Sequence, residues 1–213
     1  MTNKDLVYLV NAETVHAAKG DNWGGIKVQV IGRNMIPKCY SLPELLNHCQ
    51  DEGLPTLLCN VGQSQESLAV AETHINSASA VITHDANNTF PRFINYVPFI
   101  SKTLGKYSAS SNKRAQYLIE KVGTKNWSTG VAVSSSHYLH QMGRAGIYVE
   151  TMPIELTSGK SFLYSLNAVL SSHIFENKTG CNSMLDVLKF GFLLAKYGSA
   201  PNRFKGAQSS YNV

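Results

Sequence analysis

A short β-branched run, Ala80-Val81-Ile82-Thr83, leads at once into His84-Asp85, a polar turn from Ala86 to Thr89 and an apolar-periodic segment from Phe90. That order constrains the fold more than any other stretch. A strand that carries polar side chains at its carboxyl end and then turns toward a helix is the repeating unit of open α/β sheets, which place their sites at those ends. The same pattern recurs along the chain. Residues 6–10 form an apolar run ending at Asn11-Ala12-Glu13-Thr14, residues 26–31 alternate weakly, and residues 56–61 read as a buried strand. The link between the first two is short for a crossover helix, so an antiparallel hairpin and a closely linked parallel pair both fit. Residues 129–135 and 146–151 complete the strand candidates.

Helix signals alternate with these runs. Ser41 is placed as an N-cap with Glu44 at the capping-box position, Leu42, Leu45 and Leu46 at helical spacing, and Gly53 at the close. Ser64 caps a helix running to about residue 75. A segment over 90–104 contains Pro91, which suits a first turn, and Pro98, which bends or ends it. A Ser-rich linker over 108–111 precedes a helix over 112–122. Two more helices are expected over 160–175 and 183–197, the last apolar on nearly every side. The expected fold is therefore α/β: a sheet of about five strands with helices on both faces, in a single domain over 1–198, then a polar basic tail over 199–213.

With 43% hydrophobic and 15% charged residues, the 213-residue chain is globular in composition. It has no apolar run of membrane-span length and no signal-peptide core, so an intracellular protein without a membrane partner is expected. Cys39, Cys49, Cys59 and Cys181 show no zinc-like spacing and read as small hydrophobes. Charge is unevenly spread. Residues 1–100 carry six Lys/Arg against nine Asp/Glu, a net of −3, whereas residues 101–213 carry thirteen against five, a net of +8. Lys113, Arg114, Lys121, Lys125 and Arg144 belong to this basic half, and Tyr138 sits beside it in a Ser-Ser-Ser-His-Tyr-Leu-His segment. Basic surface with an aromatic side chain suits nucleic acid, by phosphate contact and base stacking, and suits an acidic partner subunit equally well in charge.

Carboxylates remote in sequence raise a second possibility. Phosphodiester hydrolysis with Mg²⁺ or Mn²⁺ needs acids from separate elements to hold cations roughly 4 Å apart. Glu13, Asp85 and either Asp186 or Glu72 are the candidates, with His84 or His16 as base. Each also has an ordinary role: a strand-end hydrogen bond for Glu13, an Asx-turn for Asp85, a helix first turn for Asp186.

Two nuclease families look similar at these places. The segment from Leu6 to Thr14, with Ala-Val-Ile-Thr-His-Asp-Ala-Asn-Asn-Thr-Phe from Ala80 to Phe90 and Glu72 between, resembles the PIN-like (NYN) ribonucleases. Asn11-Ala12-Glu13-Thr14, with the segment from Cys181 to Leu194 around Asp186, resembles the DEDD (DnaQ-like) 3′–5′ exonucleases. These resemblances imply a PIN-like or ribonuclease-H-like sheet and a metal-dependent nuclease. Asn11 stands where both families carry their first metal-binding Asp, and Cys181 stands at the exonucleases' general-base His, which implies a catalytically degenerate relative.

Other motifs carry less. Thr157-Ser158-Gly159-Lys160-Ser161 opens a helix like a phosphate-cradling loop, but Ile154 occupies the position of its first glycine. His137 and His140 stand three apart without a third ligand, and Cys59 follows a strand as a candidate nucleophile. Three classes follow: a metal-dependent nuclease or its degenerate relative, a non-catalytic nucleic-acid-binding or assembly subunit, and a nucleotide or small-molecule enzyme with its site near Glu13, Asn60 and His84.

Overall fold

A computed structural model describes residues 12–17, 21–32, 41–86, 108–123, 129–134, 144–149, 159–172, 174–181, 183 and 185. Five strands form one mixed sheet in sequential order: β1 (Ala12–Val15), β2 (Lys27–Ile31), β3 (Thr56–Cys59), β4 (Ala80–Asp85) and β5 (Thr129–Val133). β1 pairs with β2 and β2 with β3 antiparallel, while β3, β4 and β5 run parallel. The antiparallel hairpin is thus the arrangement adopted at the start of the sheet. Its turn is tightened by Gly24 and Gly25 at φ 61 and 84, with the Ile26 amide donating to the Trp23 carbonyl at 3.0 Å.

Four α-helices lie among the described residues: α1 (Leu42–Asp51), α2 (Gln65–His74), α3 (Ser108–Gly123) and α4 (Gly159–Ser172). α1 forms as its signals predict. The Ser41 amide donates to Glu44 Oε2 at 2.9 Å, and Leu42, Leu45, Leu46 and Cys49 are buried at helical spacing. Gly53, at φ 66, ends it: the Gly53 and Leu54 amides donate back to the Gln50 and Cys49 carbonyls, a Schellman closure. α2 is capped by Ser64, whose Oγ accepts from the Ser67 amide at 2.9 Å, while Ser67 Oγ accepts from the Ser64 amide at 2.9 Å. A serine therefore completes the capping box in place of the usual Glu or Gln.

Alternation on the strands divides the core between the two faces of the sheet. Val28, Val30, Leu58 and Val81 pack with Leu45 and Leu46 of α1, Ala71 of α2, and Ala115 and Leu118 of α3. Leu57, Ala80 and Val131 turn the other way, onto Leu170 and the partly buried Leu166 of α4. Helices on both faces were expected, and both faces carry them. α2 and α3 share one face, with Ala71, Ala115 and Leu118 in the same core cluster, as expected for successive parallel strands added in one direction. Asn167 of α4 ties its face down, accepting from Ser79 Oγ at 3.0 Å and donating to the Gly53 carbonyl at 2.9 Å.

Three expectations need correction. Residues 108–111 are the first turn of α3, not a linker: the buried Ser111 presses its carbonyl against Gly62, where a Cβ would clash with it, so packing overrides a weak helix propensity. The helix expected to run to Phe175 stops at Ser172, and Glu176–Lys178 forms a strand, β7, paired antiparallel with β6 (Gly146–Tyr148). Glu13 lies inside β1 rather than beyond a strand's end. The segments 6–10, 90–104, 136–143 and 199–213 lie outside the described residues, as does the 183–197 helix apart from 183 and 185. No described helix is long and apolar enough to cross a membrane.

Candidate functional site

Strand register decides whether the carboxylates meet. Glu13 pairs with Val30, Val30 with Thr56, and Leu57 with Ala80, so Glu13 is level with Ser79, just before β4. Asp85 lies six residues further up and three strands across, about 20 Å along the strands and about 14 Å sideways. The two carboxylates cannot hold one cation or a close pair. The expected convergence of Glu13 with Asp85 does not occur, because Glu13 sits mid-strand at the sheet's edge. Glu72, on α2, is ion-paired with Lys121 of α3 at 2.8 Å. Asp186 lies outside the described residues. Among the described residues no group of three or more His, Cys, Asp or Glu side chains is arranged to hold a metal ion. The donors placed here do not fit the Mg²⁺ or Mn²⁺ site.

The carboxyl end of the parallel strands gathers other groups. Cys59 ends β3 opposite Lys27, Asn60 follows in the left-handed region at φ 64, and His84 and Asp85 end β4. Thr83 forms a bulge against β5, shifting the register so that His84 faces Ala132 and Asp85 faces Val133. His84 Nε2 lies 2.8 Å from the Gly180 carbonyl, which ties the strand end to the segment after β7. The Asp85 main chain is read by Asn112 of α3, whose side-chain amide accepts from its N–H at 3.3 Å and donates to its carbonyl at 3.4 Å. Glu13 stands away from this end, so the expected grouping of Glu13 with Asn60 and His84 does not form either.

Burial is the main influence on the Cys59 thiol and, with the Asp85 charge, raises its pKa from 9.0 to about 11 against smaller opposing effects from Gln29 and Lys27. A thiol held there stays protonated at neutral pH and lacks the nucleophilic thiolate. His16, mostly exposed, is held below its usual value by desolvation and by Lys27, so its neutral form is favoured.

The basic residues divide by task. Arg114 is engaged within the fold: Nε donates to the Gly62 carbonyl at 2.7 Å and Nη2 to the Gln63 carbonyl at 3.2 Å, holding the loop between β3 and α2 against α3. Arg144 is half-buried, with its backbone carbonyl closely packed against Gly180. Lys125 and Tyr138 lie outside the described residues. Lys113 and Lys121 are exposed on α3, and between them stands Tyr117, with 65% of its surface open to solvent. Lys121 is held above its usual value by the hydrogen bond and charge of Glu72, with a smaller contribution from Tyr117. Residues 113, 117 and 121 share one helix face, each about 6 Å along the axis from the next. Tyr117 was not among the expected site residues, although its spacing of four from each lysine is visible in the sequence. No family model, curated protein or solved structure matches this chain. The PIN-like and DnaQ-like resemblances therefore rest on the sequence motifs alone.

Proposed function

We propose that this chain is a non-catalytic nucleic-acid-binding protein that contacts polynucleotide through the outer face of α3. The observation that carries this reading is the solvent-facing line Lys113, Tyr117, Lys121. The net charge of +8 over residues 101–213 supports it, since an excess of that sign attracts phosphate over long range. The separation of Glu13 from Asp85 favours binding over hydrolysis. Membership of a larger assembly is compatible with the same surface.

The test is fluorescence anisotropy with labelled DNA and RNA oligonucleotides over a salt series, run in parallel with Mg²⁺ and Mn²⁺ and scored for cleavage. The reading predicts affinity that falls steeply with salt while the oligonucleotides stay intact. Cleavage abolished by Glu13→Ala or Asp85→Ala would replace it with the nuclease reading. Absence of salt-sensitive binding would remove nucleic acid altogether.

A further inference from the structure

Resting on that reading, we infer that the polynucleotide taken by α3 is single-stranded, with one base stacked on Tyr117 and phosphates on either side held by Lys113 and Lys121. Tyr117 is a large ring left 65% exposed in the middle of a helix whose apolar side is fully used in the core by Ala115, Leu118 and Val122. Its neighbours one turn away in each direction are exposed lysines, set about 12 Å apart along the axis. A basic track with an aromatic platform matches the sequence-tolerant way single strands are bound, because every base offers a π-face. A duplex keeps its bases stacked and paired, so its phosphates would meet the lysines while the ring met no base.

Two acids oppose the interaction and sharpen its test. Glu120, on the same helix, is exposed beside Tyr117, and Glu72 neutralises Lys121 from α2. A phosphate arriving at Lys121 must compete with Glu72 across a pair whose side chains are 53% and 46% exposed. Such a pair is weak in water, so phosphate can displace it. Glu72→Gln and Glu120→Gln should therefore each tighten binding.

Single-stranded DNA, single-stranded RNA and duplex DNA of one sequence are titrated against the full chain and against Tyr117→Ala, Tyr117→Phe, Lys113→Ala and Glu72→Gln, each variant first checked for an unchanged melting temperature. Tyr117→Ala is expected to weaken single-strand binding by about 5- to 100-fold, to leave duplex binding and the salt slope unchanged, and to be rescued by Tyr117→Phe. Lys113→Ala is expected to reduce the salt slope on every ligand. Equal affinity of Tyr117→Ala and the parent for single strands overturns the stacking proposal. The binding reading survives that result if Lys113→Ala still weakens binding, and falls if neither variant matters.

Discussion

Single atoms hold several of the joints described above. Gly62 has no room for a side chain because the Ser111 carbonyl of α3 lies against its Cα, and its own carbonyl receives Arg114 Nε at 2.7 Å. Gly62→Ala is expected to cost about 1–3 kcal/mol by overpacking, read as a lower urea midpoint with an unchanged slope. Cys59 gives a second prediction at this scale. Its folded pKa of about 11 exceeds its ordinary 9.0, so the folded state keeps a proton that the unfolded state releases. The stability tied to this group is intact below pH 9 and is lost as pH rises toward 11. Comparing urea midpoints of the parent and Cys59→Ser across that window should show a steeper alkaline decline in the parent. Site-resolved alkylation at pH 8 should mark the exposed Cys181 well before Cys59 or the fully buried Cys49. Equal rates at Cys59 and Cys181 would contradict the burial that raises the Cys59 value.

Elements with strong local signals were legible; those fixed by distant partners were not. α1 could be read because Ser41, Glu44, the leucines at helical spacing and Gly53 all act within its own length. β4 could be read from its β-branched run, and its bulge could not, because Thr83 bulges to meet β5, where it donates to the Val131 carbonyl at 3.4 Å and fills the space left by Gly130. β7, Glu-Asn-Lys, has no strand signature at all. It lies beside the sheet because Asn177 imitates a backbone: its Oδ1 accepts from the Ala132 amide at 2.7 Å and its Nδ2 donates to the Gly130 carbonyl at 2.9 Å. Ser134 adds a similar link, donating from Oγ to the Ala145 carbonyl at 2.7 Å and accepting from its amide at 3.1 Å. These contacts cover the free edge of β5, which would otherwise offer unpaired groups to another chain. Asn177→Asp keeps the acceptor and loses the donor to the Gly130 carbonyl, so about 1–3 kcal/mol of stability should go, and the loosened ribbon should let the Ala132 amide exchange faster. Unchanged exchange there would show that the ribbon is held by other means.

Across the whole molecule, the candidate site was less legible than the fold. Acids scattered along a sequence can be assembled on paper at will, but the register leaves Glu13 level with Ser79 and carries Asp85 to the far end of β4. Sequence distance gave no hint of this, since the outcome turns on which strand of the pair β1 and β2 lies at the edge. The basic half of the chain was visible as a charge count, yet the count could not tell cations engaged within the fold from those that face solvent. Arg114 is bound to two loop carbonyls, whereas Lys113, Tyr117 and Lys121 face solvent on α3, the last in an exposed pair with Glu72. The slope of log affinity against log salt for a single-stranded oligonucleotide, in the parent and in Lys113→Ala, tests most directly the proposal that this face binds polynucleotide. Loss of one phosphate contact should reduce the slope by about 0.7. An identical slope and affinity in the variant would contradict the assignment of α3 as the binding surface.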